Sequence, residues 1–225
     1  NPYGRLEFNT GGSSAGSGAA IAGGFAVAAV GSETAGSILS PASANSLVGL
    51  KPTTGSLSRS GVIPISSTLD TLGPMGRSVA DVVALFNAMA GYDRSDKTMP
   101  LLSADMQLVV RDASIVGLRL GLPTALGNEP LIRAAVAQLA NAGAVIVPVD
   151  FAPPDLAEEG QFMGAEMVVD LADYLQKWAN PRVEVAGITD LQAFNTLRPQ
   201  ERMPYGQQLV DGMVEFLAAF GDDTQ

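Results

Sequence analysis

The stretch Gly31–Ala42 reads GSETAGSILSPA, and a second glycine-rich stretch, GGSSAGSG at Gly11–Gly18, precedes it. Glycine lets the backbone approach a ligand closely, and serine adds a short hydrogen-bond donor and acceptor. Two such loops suit an anion site or a pocket for a transition state. A simpler interpretation is that each serine hydroxyl caps a turn of its own backbone.

The composition narrows the functions open to these loops. The 225 residues are 47% hydrophobic and 16% charged, which is typical of a globular protein with one large domain or two small ones. A formal charge of -10 argues against nucleic acid as a partner. Because the sequence has no Cys and no His, it lacks disulfides, thiolate metal ligands and a histidine base, and we predict no metal site.

No run of about 18 apolar residues is present, so no contact with a membrane is predicted. We expect a cytoplasmic protein, with secretion or a periplasmic location left open. The chain begins with NPYGRLEF, without Met, and ends with the acidic GDDTQ. These ends indicate a piece of a longer protein.

Hydrophobic patterns predict helices and strands around the two loops. Before Ser37 we expect a small-residue helix from Ser17 and then an apolar strand over Phe25–Val30. Leu47–Leu50 is predicted as a second buried strand, followed by a turn-rich surface segment over Gly55–Thr71.

The best-defined helix has the sequence SVADVVALFNAMAGYD, in which Ser78 and Asp81 form a capping box and Gly91 ends the helix. Beyond it, a strand, a helix and a strand form a βαβ unit, which indicates a parallel sheet covered by helices. These elements are predicted over Val116–Leu122, Pro130–Ala142 and Ala144–Val149, and further helices over Phe162–Ala179 and Gln207–Phe220.

Three kinds of chemistry compete for the glycine-serine loops. Gly31–Ser37 has the spacing of a phosphate-binding loop, but the lysine that should precede Ser37 is missing. The loop GSSAG fits G-x-S-x-G with Ser14 at its centre, but that mechanism needs a histidine base. Acyl transfer by a serine needs no histidine when a lysine takes the proton, directly or through a second hydroxyl. This third option fits the residue inventory.

Three segments carry a family resemblance: GGSSAGSGAA, GSETAGSILSPAS and VGLKPTTGSLSRSGVIPISSTLDTLGPMGRSVADV. From Gly11 to about Asp96 they resemble the amidase signature family of serine amidases, and its peptide-amidase-like branch most of all. The resemblance implies an α/β fold with a mixed, largely parallel β-sheet core covered by helices on both faces, incomplete in this chain. It implies one domain over 1–225, truncated at both ends, with core motifs in 11–96 and a βαβ and helical part in 112–225.

The resemblance also implies roles for the residues of the two loops. Ser37 matches the nucleophile that forms the acyl-enzyme, and Ser13 matches a bridging serine that follows a cis peptide bond. The oxyanion-hole positions are Thr34, Ala35 and Gly36, and the supporting positions are Gly12 and Ser14. The family's catalytic lysine lies upstream of the GGSS loop, outside this chain, so we expect the chain alone to be inactive.

Other residues receive structural interpretations. Lys51 matches a family lysine that is not the base, and its position at a strand end indicates a solvent-reaching role. Asp70 is expected to pair with an arginine such as Arg77 or to cap a helix. Three apolar residues of the next helical segment are expected to pack in the core rather than line a substrate channel: Phe162, Met163 and Met167.

We therefore expect hydrolysis of a carboxylic amide C–N bond, with an acyl-enzyme on Ser37 and with Ser13 relaying protons to the upstream lysine. No cofactor is required, the partner is a small-molecule or peptide amide substrate, and a homodimer is left open. One alternative is an amidotransferase subunit that releases ammonia from glutamine for tRNA-dependent amidation. Another is a non-catalytic module that binds an anion or nucleotide at Gly31–Ser37.

Overall fold

The computed structural model of the chain describes residues 9–99, 106–111, 113–151 and 159–220. The chain divides into two compact units, Asn1–Val110 with Glu159–Gln225 and Arg111–Glu158. Both glycine-serine loops belong to the first unit, which therefore contains every predicted site residue.

The first unit starts with six elements: α1 (Ala15–Ala22), β1 (Ala28–Glu33), α2 (Leu39–Ala44), β2 (Val48–Gly49), β3 (Thr71–Gly76) and α3 (Val79–Met89). The second unit contains β4 (Arg119–Pro123), a short 3-10 helix (Thr124–Leu126), α4 (Pro130–Asn141) and β5 (Val145–Val149). The first unit ends with α5 (Glu159–Trp178), α6 (Ile188–Thr196), α7 (Pro199–Arg202) and α8 (Gln208–Phe220).

Strand direction differs between the two units. In the second unit β4 and β5 are parallel, with Leu120 opposite Ile146, so the predicted βαβ unit is confirmed. In the first unit the strands lie in the order β1-β3-β2, and β3 is antiparallel to both neighbours. The α/β class is confirmed. We expected a largely parallel sheet, but the described sheet next to the serine loops is antiparallel.

This difference arises from β3, which begins at the last residue of the segment predicted to be turn-rich. Gly73, Pro74 and Gly76 interrupt its sequence, and both residue types are unfavourable in strands. Tertiary contacts favour them here, since a Cβ on Gly73 would lie 2.0 Å from the carbonyl oxygen of Leu50. The carbonyl of Pro74 accepts the Leu50 N–H at 3.0 Å. A local pattern cannot reveal such contacts.

The core of the first unit holds the residue next to Ser37. Ile21, Ile38, Ala42 and Met75 form a buried cluster contributed by α1, the start of α2, and β3. Burial of an aliphatic side chain of this size stabilises the fold by about 2 kcal/mol. Because Ile38 is fully buried in this cluster, its packing fixes the backbone at Ser37.

The predicted strand over Phe25–Val30 is displaced toward Glu33, and Phe25 is 90% exposed rather than buried.

The predicted helix at Ser78 is confirmed, with its capping box: the Ser78 hydroxyl accepts the Asp81 N–H at 3.2 Å, and the Asp81 carboxylate accepts the Ser78 N–H at 3.0 Å. Helices α4, α5 and α8 also confirm predictions. None of the helices in the described part of the chain has the length and apolar content needed to cross a membrane.

Candidate active site

The two glycine-serine loops are hydrogen-bonded to each other. The backbone N–H of Ser14 donates to the carbonyl of Ser37 at 3.1 Å. The peptide bond between Gly12 and Ser13 is cis, as the family resemblance implies. The structure therefore brings the loop of Ser13 against the loop of Ser37.

Ser14 also ties its loop to β1. Its hydroxyl donates to the Ser32 carbonyl at 3.0 Å and accepts the Ser32 N–H at 3.1 Å. This close approach requires a glycine at position 31, because a Cβ on Gly31 would lie 2.9 Å from the Ser14 hydroxyl oxygen. The predicted supporting position thus acts as a cross-link between the loop and the strand.

Glu33 closes the loop that carries Ser37. Its side chain is 3% exposed, and one carboxylate oxygen accepts the N–H of Ile38 at 2.7 Å and that of Leu39 at 2.9 Å. Sequence reasoning missed this residue. The available signal was that Glu33 is the only ionisable side chain between Gly11 and Leu50, so its burial among small residues demands specific partners.

Between Glu33 and Ile38 the backbone leaves donors free. Within the described residues, the N–H groups of Ala35, Gly36 and Ser37 have no acceptor. Gly36 has a φ of +84°, a conformation that glycine adopts without a steric penalty. Successive unpaired N–H groups beside a hydroxyl are an arrangement that can bind a negatively charged oxygen.

Asp70 fixes the start of this loop from outside. Its carboxylate accepts the hydroxyl of Thr34, and its other oxygen accepts the N–H of Ile65 at 2.8 Å and of Ser66 at 3.0 Å. The expected pairing with Arg77 is wrong, since the Arg77 guanidinium donates to the carbonyl of Ile21. Asp70 instead links the loop of Ser37 to the segment 65–70.

The segment 65–70 is held in turn by α5. The carboxylate of Glu166 accepts the hydroxyls of Ser66 and Thr68, and the carboxylate of Asp170 accepts the Ser67 N–H at 2.6 Å. Burial raises the pKa of Glu166, but the hydrogen bonds from Ser66 and Thr68 outweigh it and hold the pKa below its ordinary 4.5. Thr34 is thus connected to α5 through two carboxylates.

A cavity of about 500 Å³ opens beside Ser37. Thr34 and Ala35 line it together with Ser37, and the opposite walls come from α5 and α8. Among the residues that the structure describes, no side chain lining this cavity is ionisable. Met163 lines the cavity and Phe162 is 46% exposed, so the expected placement of these two residues in the core is wrong.

The three lysines of the chain do not reach this cavity. Lys51 is exposed, with its Nζ 3.4 Å from the carbonyl of Pro52, which confirms the solvent-reaching role. Lys97 and Lys177 line another cavity, of about 420 Å³, with Arg59. Among the described residues that line the cavity at Ser37 there is no lysine.

The site combines a short strand that leads into a glycine-serine loop, a cis peptide bond between Gly12 and Ser13, and a buried carboxylate that closes the loop. The family model described as Amidase matches residues 1–210, and the chain belongs to the amidase signature family.

Two solved structures resemble the chain strongly. An amidase family protein from Bacillus anthracis str. Ames has a TM-score of 0.83 and 36% identity, over 95% of this chain and 44% of that protein. The native peptide amidase of Stenotrophomonas maltophilia has a TM-score of 0.79 and 37% identity, over 96% of this chain and 45% of that protein. The resemblance to peptide amidases is therefore confirmed at the level of structure.

Curated relatives carry a different name. A glutamyl-tRNA(Gln) amidotransferase subunit of Symbiobacterium thermophilum is 45% identical over 153 residues, which are 65% of this chain and 31% of the relative. The corresponding subunit of Marinomonas sp. is 44% identical over the same length. The chain thus spans about a third of the length of these curated relatives.

Proposed function

We propose that the protein containing this chain hydrolyses a carboxylic amide C–N bond through an acyl-enzyme on Ser37. The observation that carries this proposal is the set of unpaired N–H groups at Ala35, Gly36 and Ser37, in a loop from which Ala35 and Ser37 line a cavity large enough for an organic substrate. Membership of the amidase signature family supports the reaction class.

The proposed reaction has two steps. The Ser37 hydroxyl attacks the carbonyl carbon, and the oxyanion that forms accepts hydrogen bonds from the loop, each worth about 3 kcal/mol. Ser13 takes the Ser37 proton and passes it to a lysine from outside this chain, which returns a proton to the leaving amine or ammonia. Water then cleaves the Ser37 ester and releases the acid. Thr34, Gly12 and Ser14 position the loops, and the chain without that lysine is inactive.

Replacement of the nucleophile tests the proposal in the natural protein that contains this chain. Ser37→Ala should abolish amide turnover and labelling by a fluorophosphonate, with circular dichroism and thermal unfolding unchanged. Ser40→Ala is the matched control, because Ser40 lies three residues away and its backbone N–H bond to Gly36 survives the change. Retained turnover in Ser37→Ala would refute the assignment. If the wild-type protein bound phosphate at Gly31–Ser37 and its Ser37 were not labelled by the fluorophosphonate, the non-catalytic anion-binding module would be favoured instead.

The names of the curated relatives favour a second candidate, an amidotransferase subunit that releases ammonia from glutamine. Free glutamine carries an ammonium and a carboxylate, and burying them requires charged or strongly polar partners. The described lining of the cavity at Ser37 contains no charged side chain, which favours an uncharged amide. The amidotransferase would be supported if the protein released ammonia only with glutamine and co-purified with a second protein.

A further inference from the structure

The cavity at Ser37 owes its width to missing side chains. Gly160 and Gly164 lie one turn apart on α5, and Gly212 faces the same cavity from α8. A Cβ added at any of the three would meet no atom within 4 Å. Glycine in the interior of a helix costs roughly 1 kcal/mol relative to alanine. Close packing does not require glycine at these positions. The absence of side chains there leaves the cavity open.

The remaining walls of the cavity are chiefly apolar. Met163 of α5 and Met213 and Phe216 of α8 line it. Among the described lining residues outside the Ser37 loop, the polar side chains are those of Gln161 and Gln208. Flexible thioethers adapt their shape to a bound group, and an aromatic ring provides a broad apolar contact. Such walls fit an uncharged, bulky apolar group.

We infer that this cavity binds the acyl group of the substrate, and that Gly164 and Gly212 set the largest acyl group accepted. This inference rests on the proposed function of Ser37. Both substituents of the amide carbonyl compete for the space beside Ser37. The leaving amine must be protonated and then replaced by a water molecule, and apolar walls disfavour both a charged amine and water. The acyl group, in contrast, stays bonded to Ser37 until hydrolysis. The substrate class is therefore amides of aryl-substituted or medium-chain acids.

The test uses Gly164→Leu and Gly212→Leu in the natural protein that contains this chain, assayed with two series of amides. One series enlarges the acyl group from acetyl to phenylpropionyl and octanoyl on a constant amine, and the other enlarges the amine on a constant acetyl group. Each leucine should lower kcat/KM for the largest acyl groups by about 10- to 100-fold and for acetyl amides by less than about 3-fold. Ala218→Leu, on the exposed side of α8, is the matched control and should change neither series.

Gly164→Ala and Gly212→Ala provide a second pair that keeps the helices stable, because alanine has the higher helix propensity. They should shift the acyl preference in the same direction by several-fold. Equal losses for all acyl sizes, or a loss confined to the amine series, would overturn the inference while amide turnover by Ser37 stands. A wild-type protein that neither turns over any amide nor labels at Ser37 would overturn the proposed function and this inference with it.

Discussion

The carboxylate of Glu33 accepts the backbone N–H of Ile38 at 2.7 Å, and this bond closes the loop that presents Ser37. The same oxygen accepts the N–H of Leu39, so one buried side chain satisfies two backbone donors. With these donors occupied, the N–H groups that remain open within the described loop include those of Ala35, Gly36 and Ser37. Glu33 thus selects which part of the loop can receive a ligand.

Removal of the Glu33 carboxylate should therefore destabilise the protein. Glu33→Ala leaves two N–H groups without their acceptor, and we expect a loss of about 3 kcal/mol in the free energy of unfolding. Glu33→Gln keeps an amide oxygen in place and should lose about 1 kcal/mol, the difference between a charged and a neutral acceptor. Urea unfolding with an unchanged m-value measures both. Equal stability of Glu33→Ala and the wild type would contradict the closing role.

The hydrogen bond from Thr34 to Asp70 should matter for catalysis more than for binding. Thr34→Val removes the hydroxyl, lets the loop shift away from the 65–70 segment, and should lower kcat by about 10-fold, a change of about 1.4 kcal/mol in the activation free energy. KM should change by less than about 2-fold. Thr34→Ser keeps the hydroxyl and should restore kcat. A Thr34→Val enzyme with normal kcat and a raised KM would assign Thr34 to substrate binding instead.

Glu166 should make stability depend on pH. Folding lowers its pKa below the ordinary 4.5, so the folded state binds this proton less tightly than the unfolded state does. The stabilisation is present above about pH 4.5 and is lost as the pH falls through the folded pKa. The stability gap between the wild type and Glu166→Gln should accordingly narrow from pH 7 to pH 3 in urea unfolding.

Two aspartates also have a lowered pKa, and their effect on stability must be separated from that of Glu166. The hydroxyl of Ser58 lowers the pKa of Asp93, and at Asp96 hydrogen bonds from Thr98 and Arg59 outweigh the effect of burial and lower the pKa. Since both are present in the wild type and in Glu166→Gln, their contributions cancel in the comparison. In a Thr68→Val background, which lacks one donor to Glu166, the gap at pH 7 should be smaller. A gap that is constant with pH would rule out this linkage.

Gly73 and Gly164 should respond in opposite ways to the same substitution. Gly73→Ala places a methyl 2.0 Å from the Leu50 carbonyl oxygen in the central strand, and we expect a loss of about 3 kcal/mol or more in the free energy of unfolding. Gly164→Ala meets no neighbour on α5 and should gain up to about 1 kcal/mol. Thermal unfolding of both variants checks the contrast, and a harmless Gly73→Ala would mean that β3 lies farther from Leu50 than described.

The sequence by itself determined the features that local chemistry encodes. The serine loops, the capping box of Ser78 and Asp81, and the helix between β4 and β5 depend on residues close together in the chain, so their spacing predicts them. The motifs and their order also indicated the family, and the resemblance to that family implied the cis bond before Ser13.

Only the tertiary structure decided how the site is held and how large it is. Strand β3 is stabilised by its two neighbours in spite of its glycines and proline, and Asp70 bonds Thr34 across 36 positions of sequence. Glu166 reaches Ser66 across 100 positions, and α5 and α8 complete the cavity at Ser37. Such contacts form between distant segments through packing and hydrogen bonding, which no local pattern of residues records.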